Sequence, residues 1–417
     1  MKTSFAASVI AIALVASVSV ALYLPDAAYA ASDELALSVD SDIVSANNDF
    51  GLDIFSRLVG DEDSGKNVFI SPLSISTCLA MVYIGSDGET RAAMADTLNF
   101  DSFSLEELKD EYSKLIGSLE GADNSVALSI ANSAWIRQEY EEAIKQSYKD
   151  AIDTNFDASI FARDFSNPQT VGEINGWVSQ ETNGMIDKMI DSIPTELVMY
   201  LINAIYFKGD WVNQFDASDT SKADFHLSDG GTMEADMMYV HDKFNYSYYE
   251  EDGVQVGRLP YGRDKIAMYV FLPDEGMDVD SFVAGLDDEK LEAYIEGLPD
   301  AHNLDLYLPK FEVEYGKKRL NDVLADMGMQ IAFDPSEAGF SEMATVPLFI
   351  SFVDHKAVIK VNEEGTEAAA VTVVGMELTS TPQYEEFRVD RPFFFVIRDD
   401  RSGSILFMGK VMDPTAN

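Results

Sequence analysis

The residue types that most often carry chemistry in proteins are scarce in this chain. The histidines are His226, His241, His302 and His355, and no two of them lie at metal-ligand spacing. The sequence also lacks an H-E-x-x-H helix, a C-x-x-C pair, a Walker phosphate loop and a G-x-S-x-G elbow. Asp and Glu number 73 in 417 residues, so a chance pair of carboxylates carries almost no information. We therefore expect no enzyme activity, no metal and no cofactor.

One segment near the C-terminus has no obvious place to pack. Gly365 to Ala370 reads Gly-Thr-Glu-Ala-Ala-Ala and follows an alternating apolar strand, Val353 to Val361. The next strand-like run is Arg391 to Arg398, which leaves roughly 27 residues without a glycine-proline turn, and loops of this length are usually functional or disordered. Ala, Val and Thr dominate this one, which suits a strand that lacks a sheet. The pattern indicates a segment that is held out of the fold and is able to enter it.

The elements around this segment indicate an α+β fold. Ser71 and Pro72 are typical helix-start residues before an apolar run that ends near Gly85. Leu197 to Phe207 is rich in β-branched and aromatic residues, which favours a buried central strand. Asn203 lies inside that strand and needs a hydrogen-bond partner there. Helices dominate the first half and strands the second, and this order is typical of α+β proteins.

The N-terminus predicts export. Residues 1–30 are expected to be a signal peptide, since an apolar run from Ser4 to Leu24 is followed by the small-x-small pattern Ala28-Tyr29-Ala30. The mature protein would then be secreted, extracellular or periplasmic, and an uncleaved membrane anchor is the alternative. Residues 31–46 are polar and are predicted to be a mobile N-terminal segment. Cys78 is the single cysteine, so no internal disulfide is expected.

The charge excludes two classes of partner. The formal net charge is −44, and such a surface repels nucleic acid and anionic membranes. Two interpretations of the acidity stay open. It is either an acid-rich coat that keeps the protein soluble in a saline medium or a drift in composition without a function.

Taken together, the motifs resemble the serpin family of protease inhibitors over about Asn47 to Pro414. Their order and spacing are more specific than any one of them. The segments that carry the resemblance are, in chain order, Asn67–Ser74, Asn175–Ile186, Leu201–Trp211, Leu259–Gly262, Phe271–Glu275, Glu363–Ala370, Arg391–Phe395 and Leu406–Lys410.

The resemblance implies a single domain, 47–414, with three β-sheets, about nine helices and an exposed reactive-centre loop at about 363–387. It identifies the chain as similar to a prokaryotic secreted member. The implied activity is suicide-substrate inhibition of serine proteases, with cysteine proteases as a further class. The cleaved loop would enter the central sheet and trap the acyl-enzyme in a covalent complex. The alternative is a non-inhibitory family member that binds or chaperones other molecules. We expect a monomer.

The resemblance also assigns roles to residues by position. Those similar to the family's loop hinge are Glu363, Gly365, Thr366, Glu367, Ala368, Ala369 and Ala370. Those similar to positions that control opening of the central sheet are Ser71, Ser74, Asn203, Trp211, Lys310 and His355. By the same comparison, Asn203 and His355 are expected to form hydrogen bonds near the opening point, with Ser71 and Ser74 close by. Lys310 is expected to pair with Glu363.

The reactive bond is predicted between Thr379 and Ser380. The Leu378–Thr379 bond is the first alternative and Met376–Glu377 the second. No Lys or Arg occurs between Gly365 and Phe387, and a trypsin-like pocket needs a basic side chain. The expected targets are therefore proteases of elastase-, chymotrypsin- or subtilisin-like specificity.

Overall fold

The structure is a computed structural model, and it describes residues 33–120, 122–123, 125–242, 247–299, 304–366 and 385–416. Residues 33–36 are helical, and nine further α-helices follow within these ranges. They are α1 (Ser41–Asp61), α2 (Pro72–Tyr83), α3 (Gly88–Leu98), α4 (Leu105–Glu120), α5 (Gln146–Phe156), α6 (Gln169–Glu181), α7 (Val279–Ala284), α8 (Asp288–Glu296) and α9 (Asn321–Leu324).

The same ranges contain eighteen strands. They are β1 (Val68–Ile70), β2 (Val126–Arg137), β3 (Ala158–Arg163), β4 (Met199–Asp210), β5 (Ser221–His226), β6 (Thr232–Asp242), β7 (Ser247–Glu251), β8 (Val254–Tyr261), β9 (Ile266–Pro273), β10 (Leu304–Pro309), β11 (Phe311–Glu314), β12 (Lys318–Arg319), β13 (Asp354–His355), β14 (Val358–Val361), β15 (Gly365–Thr366), β16 (Glu385–Arg388), β17 (Phe393–Asp399) and β18 (Ile405–Val411).

The strands form three large sheets, as predicted. The central sheet has the order β11-β14-β15-β4-β2-β3, the back sheet β1-β18-β17-β9-β8-β7, and the side sheet β16-β10-β6-β5. Strands β12 and β13 form a separate pair. With the helices, this arrangement confirms the mixed α+β class.

Local sequence signals explain several of these boundaries. Ser71 caps α2, because its hydroxyl accepts a hydrogen bond from the Ser74 N–H at 3.1 Å, and Pro72 occupies the first turn. The predicted central strand is β4, which pairs antiparallel with β2 along its length. Between Asp278 and Leu298 the chain forms two short helices, α7 and α8. The first helix ends at Ala284, and the Asp287 side chain caps the N-terminus of the second.

The described part of the segment predicted to be mobile, 33–46, contains helical residues. Helix α1 begins at Ser41, where the Asp40 side chain accepts a hydrogen bond from the Asp42 N–H. Ile43 is fully buried, and Ala36 is only 3% exposed. The segment is mostly polar, but its few apolar side chains extend the buried stripe of α1 toward the N-terminus. Residues 1–32, including the predicted signal peptide, lie outside the described residues.

A layer of aromatic rings packs between the central and back sheets. Phe69 stacks on Phe395 and Phe407, with ring centroids 5.9 and 5.5 Å apart. Phe207 of β4 lies 6.1 Å from Phe407 and joins the two sheets. Gly409 gives the rings space, since a Cβ there would lie 2.8 Å from the Phe395 ring. This rigid layer supports the face of β4 next to which the hinge lies.

Candidate functional site: the hinge and opening of the central sheet

A tight turn begins the hinge, and Asn362 organises it. The Asn362 side-chain oxygen accepts hydrogen bonds from the N–H groups of Glu364 and Gly365 at 3.1 and 3.3 Å. The Asn362 N–H donates to the Gly365 carbonyl at 2.9 Å. The chain therefore reverses directly after β14 and enters β15. Sequence reasoning assigned no role to Asn362, although an Asn side chain that bonds to the backbone two residues on is a recognisable turn signal.

Gly365 lies where no other residue fits. Its φ is +153°, and a Cβ there would lie 2.0 Å from the Gly209 carbonyl oxygen and 2.7 Å from the Asp210 Cα. Both contacts are with rigid backbone, so no rotamer change could relieve them. The predicted hinge glycine therefore lets two strands approach closely at the end of the central sheet.

Thr366 is inserted between two strands of the central sheet. It pairs with Val361 of β14 on one side and Gly209 of β4 on the other, antiparallel to both. The residue is only 3% exposed, and its hydroxyl lies 2.8 Å from the Tyr261 hydroxyl. The side chain thus faces the core. The hinge has placed the first two residues of an additional strand in the sheet.

Trp211 and Tyr261 form the platform beneath this strand. Their rings stack with centroids 4.4 Å apart and planes 15° apart. The Trp211 indole N–H donates to the Asn362 carbonyl at 3.0 Å, and its backbone N–H donates to the Glu364 carbonyl at 2.9 Å. Trp211 was predicted to lie here. Tyr261 lies in the segment Leu259–Gly262 of the family resemblance, and only the tertiary structure reveals its contact with Thr366.

The structure brings Lys310 and Glu363 together. The Lys310 ammonium lies 2.9 Å from one Glu363 carboxylate oxygen and 3.1 Å from the other. Thr220 donates a further hydrogen bond at 2.8 Å. Burial opposes ionisation of Glu363. The hydrogen bonds from Lys310, from a backbone N–H and from Thr220 outweigh it and lower the pKa of the carboxyl. The acidic end of the hinge is thereby anchored.

Below Thr366 the central sheet is open between β4 and β14. Within the described residues these two strands share no ladder of their own, since β15 separates them only at their ends. A cavity of about 20 Å³ lies directly below the hinge, lined among others by Ile205, Phe207, Ile359 and Thr366. We call the space between β4 and β14, continued beside β13, the slot.

A second cavity, of about 30 Å³, lies farther along the slot. Asn203 of β4 and His355 of β13 line it, together with Ser74, Cys78 and Leu201. Burial raises the pKa of the Cys78 thiol to about 12. The thiol is therefore protonated near neutral pH, and the protonated form is a poor nucleophile.

His355 is held in one protonation state. The Ser71 backbone N–H donates to its Nε2 at 3.2 Å, so the neutral ring carries its proton on Nδ1. Burial lowers the pKa of His355 to about 4. Ser71 in turn donates its hydroxyl to the Leu406 carbonyl at 2.7 Å. Three of the predicted residues, Ser71, Ser74 and His355, therefore meet at the N-terminus of α2.

Asn203 has a hydrogen-bond partner that was not predicted. The Asn203 side-chain NH₂ donates to the Asn132 side-chain oxygen at 2.7 Å. Asn132 lies directly opposite on β2 and was not identified from the sequence. The Asn203 side-chain oxygen is buried and has no partner among the described residues. The cross-strand register, which the sequence does not reveal, determined this pairing.

The far end of the predicted loop is anchored in a different sheet. Strand β16 pairs parallel with β10 in the side sheet, and Phe387 is fully buried. Gly257 makes room for it, because a Cβ there would lie 2.2 Å from the Phe387 ring. Arg388 lies over the Tyr307 ring, 3.5 Å from its centroid. Residues 385–387, predicted to be loop, thus begin a strand.

Outside the described residues are Glu367, Ala368, Ala369, Ala370 and the candidate reactive bonds at Met376–Glu377, Leu378–Thr379 and Thr379–Ser380. Across the described ranges, no cluster of three or more His, Cys, Asp or Glu side chains is arranged to hold a metal ion. Within the same ranges, no helix has the length and apolarity needed to span a membrane.

Comparison with known proteins agrees with this architecture. Residues 45–414 match the profile of the family described as Serpin (serine protease inhibitor). Serpin-Z10 of Arabidopsis thaliana is 34% identical over 390 residues, covering 89% of this chain and 98% of its own. The human leukocyte elastase inhibitor is 33% identical over 380 residues, covering 89% and 99%. Archaeal serpin-like proteins also match, so the relatives do not support the predicted prokaryotic origin over a eukaryotic one.

Solved structures agree as well. The native state of the thermophilic serpin tengpin superposes with a TM-score of 0.81 at 31% identity, covering 90% of this chain and 95% of its own. Human thyroxine-binding globulin in complex with thyroxine gives 0.79 at 30% identity, covering 90% and 99%. The family profile, the full-length relatives and the shared three-sheet fold lead to one conclusion: this chain belongs to the serpin family.

Proposed function

We propose that this protein is a suicide-substrate inhibitor of serine proteases. The observation that carries the proposal is the two-residue strand β15. It already lies between β14 and β4, with open space directly below it. A strand that has begun to enter a sheet, and whose continuation is small and apolar, is suited to complete that entry once its other end is cut.

The proposed reaction begins as ordinary proteolysis. The nucleophile of the protease attacks the carbonyl carbon of the reactive bond and forms an acyl-enzyme, and the new amine belongs to the segment that continues into β16. The acylated end is then no longer connected through the loop to the side sheet. It enters the slot as a full strand, gaining ladder hydrogen bonds on both edges and apolar burial. The attached protease is carried along, and its deformation stops deacylation.

The register of the hinge supports the predicted position of the cut. Thr366 faces Gly209, and each further residue of the loop would face the preceding residue of β4. Continued to the start of β4, this register places Met376 opposite Met199. A cut after Met376 leaves the whole length of β4 paired. Cleavage at Thr379–Ser380 or at Leu378–Thr379 would in addition leave a few residues between the inserted strand and the protease. We therefore propose Thr379–Ser380 as the reactive bond and keep Leu378–Thr379 as the alternative.

We propose that the targets have elastase-, chymotrypsin- or subtilisin-like specificity. The loop between Gly365 and Phe387 has no Lys or Arg, and Thr, Leu and Met suit the uncharged pockets of these proteases. The same chain would act as a monomer outside the cytoplasm, after cleavage of the 1–30 signal peptide. N-terminal sequencing of the exported protein should find Ala31 first.

The mechanism is tested by placing a charge on one of two neighbouring loop residues. Ala368 would lie opposite Phe207 on the core side of the inserted strand, whereas Glu367 would face the other way. Ala368→Arg should therefore yield cleaved protein and little SDS-resistant complex with elastase, because an unpaired charge would have to be buried. Glu367→Arg is the matched control and should form the complex nearly as well as the parent.

The result also distinguishes inhibition from a binding role. Thyroxine-binding globulin, a structural neighbour, is named for a small-molecule ligand. If the parent is cut by every protease of the panel without forming a covalent complex, a binding or chaperone role replaces the proposal. Equal trapping by the parent and Ala368→Arg would rule out insertion as the mechanism.

A further inference from the structure

The side sheet has one buried face and one face that reaches solvent. Leu306 of β10 and Phe387 of β16 are fully buried. Side chains alternate between the two faces of a strand, so Asp305, Tyr307 and their cross-strand partners lie on the opposite side. We call this solvent-reaching surface the outer face. Its side chains are Tyr239, His241, Asp305, Tyr307, Glu386 and Arg388.

Contacts between these side chains hold the outer face in one arrangement. The rings of Tyr239 and Tyr307 lie 4.8 Å apart, and the Arg388 guanidinium lies 3.5 Å from the centre of the Tyr307 ring. The Asp305 carboxylate accepts a hydrogen bond from the Tyr239 hydroxyl at 2.9 Å and lies 2.9 Å from His241 Nδ1. Burial and this carboxylate raise the pKa of the Tyr239 hydroxyl. Tyrosine and arginine side chains that are ordered in advance are typical of the centres of protein interfaces.

The charge of the outer face indicates the kind of partner. Asp305 and Glu386 contribute two carboxylates, against the single guanidinium of Arg388, which lies 3.0 Å from Glu386. Glu385, the neighbouring residue of β16, is also exposed. The face thus follows the acidic character of a chain whose net charge is −44. A basic partner is complementary to it, because a Lys or Arg side chain would meet both carboxylates and aromatic rings.

The position of the outer face next to the loop identifies that partner. Strand β16 begins at Glu385, only a few residues after the proposed reactive bond at Thr379–Ser380. The intervening chain spans about 18 Å at most. A protease domain of about 200 residues has a radius of gyration of about 16 Å, so its full width is greater than this distance. A protease bound at the reactive bond therefore reaches β16 and the strand beside it.

We propose that the outer face of the side sheet is a docking surface for a basic patch beside the active site of the target protease. A basic side chain of the protease would pack on the Tyr239–Tyr307 pair and pair with Asp305 before the loop is cut. This inference rests on the proposed function, since it concerns the same protease. It adds a second determinant of target choice: the loop matches the cleavage pocket, and the outer face matches the surface charge around it.

The test compares carboxylates of the outer face with carboxylates elsewhere. Asp305→Asn combined with Glu386→Gln removes two negative charges and keeps the shape and the acceptor oxygens. Glu139→Gln combined with Glu141→Gln is the matched control, since both residues are exposed and follow the end of β2 that is distant from the hinge. Tyr239→Leu removes an aromatic ring without a change of charge.

The measurement is the rate of covalent complex formation with neutrophil elastase, a basic protease, over a range of inhibitor concentrations. The outer-face double variant and Tyr239→Leu should each need about threefold or more inhibitor to reach half of the limiting rate, which itself should not change, because docking precedes the chemistry. The control double variant should match the parent. Raising NaCl to about 0.5 M should shrink the defect of the charge variant and leave that of Tyr239→Leu.

The number of inhibitor molecules consumed per trapped elastase should be the same for all variants, which shows that their fold and loop insertion are intact. If the outer-face variants match the parent, or if the control double variant is slowed as much as they are, the docking surface is wrong while the proposed function stands. If the parent itself forms no covalent complex, the proposed function fails, and the docking surface fails with it.

Discussion

At the scale of single residues, the site depends on small groups in confined places. Gly365 allows two backbones to approach where any Cβ would collide with Gly209. His355 is kept neutral by burial and accepts one backbone hydrogen bond. Neither residue does covalent chemistry. Gly365 sets how closely the hinge approaches β4, and His355 fixes a hydrogen bond at the start of α2.

Gly365→Ala should destabilise the protein and displace the hinge, because the added Cβ meets rigid backbone at 2.0 Å. We expect a loss of about 2 kcal/mol or more in the free energy of unfolding, combining strain and overpacking. Gly230→Ala is the matched control, since Gly230 also has positive φ, +85°, but nothing lies within 4 Å of its Cβ position. Equal losses in urea titrations of the two variants would show that the close approach at Gly365 is unimportant.

His355 should make stability depend on pH. Its pKa in the folded state is about 4, below the value of about 6.5 in unfolded chains. The unfolded state therefore binds the proton first, so the stabilisation is fully present above about pH 6.5 and is lost as the pH falls toward 4. Between pH 7 and 5 the parent should lose about 2 kcal/mol more than His355→Gln, which cannot titrate.

The measurement is the difference between the two proteins in unfolding free energy at each pH, which removes the contribution of the carboxylates they share. His226→Gln serves as the control, because His226 lies at the surface. If the parent and His355→Gln show parallel pH profiles, His355 is not the titrating group.

At the scale of elements, the two ends of the loop are anchored in different sheets. Strand β15 lies in the central sheet and β16 in the side sheet. The intervening residues 367–384 must therefore connect two separate sheets while the loop is intact. In the proposed mechanism, cutting the loop would remove this connection and allow the two-residue strand to lengthen.

Phe387 should be the main anchor of β16. It is fully buried in the space left by Gly257, so Phe387→Ala should cost about 3–5 kcal/mol of stability through the cavity it creates. Phe387→Leu fills much of that space and should cost considerably less. Thermal unfolding of both variants checks this, and a near-neutral Phe387→Ala would place the anchoring elsewhere in β16.

At the scale of the whole molecule, the main feature is the large excess of negative charge. With 29 basic and 73 acidic residues, even complete pairing of the cations leaves a large surplus of carboxylates. Many of the described cations are already in ion pairs, including Lys318 with Glu62 at 2.6 Å and bidentate Arg319 with Asp354. The excess carboxylates repel one another in the folded protein more than in the expanded unfolded chain.

Salt should therefore stabilise this protein. Raising NaCl from 0.1 to 1 M shortens the screening length from about 10 to about 3 Å and should raise the melting midpoint by about 2 °C or more. Sucrose at matched osmolality is the control for effects unrelated to charge. A midpoint that falls or stays constant with salt would mean that the internal ion pairs outweigh the surface repulsion.

The sequence by itself determined what depends on local pattern. The start of α2 at Ser71 and Pro72 and the buried strand β4 follow from capping and composition, whereas the hinge glycine was implied by the family resemblance. These are properties of neighbouring residues, so they are visible in one dimension. In residues 33–46, a largely polar stretch, the burial of Ala36 and Ile43 depends on distant elements and was not visible in the local pattern.

Only the tertiary structure decided how distant residues meet. Asn203 bonds to Asn132 because β2 and β4 pair in one register out of many, and a shift by one residue would turn both side chains to the other face. Thr366 finds Tyr261, and Phe387 finds Gly257, because three sheets pack together. Which polar groups remain unpaired in the slot is likewise a result of packing, since a group's partners are set by the strands that surround it and not by its neighbours in sequence.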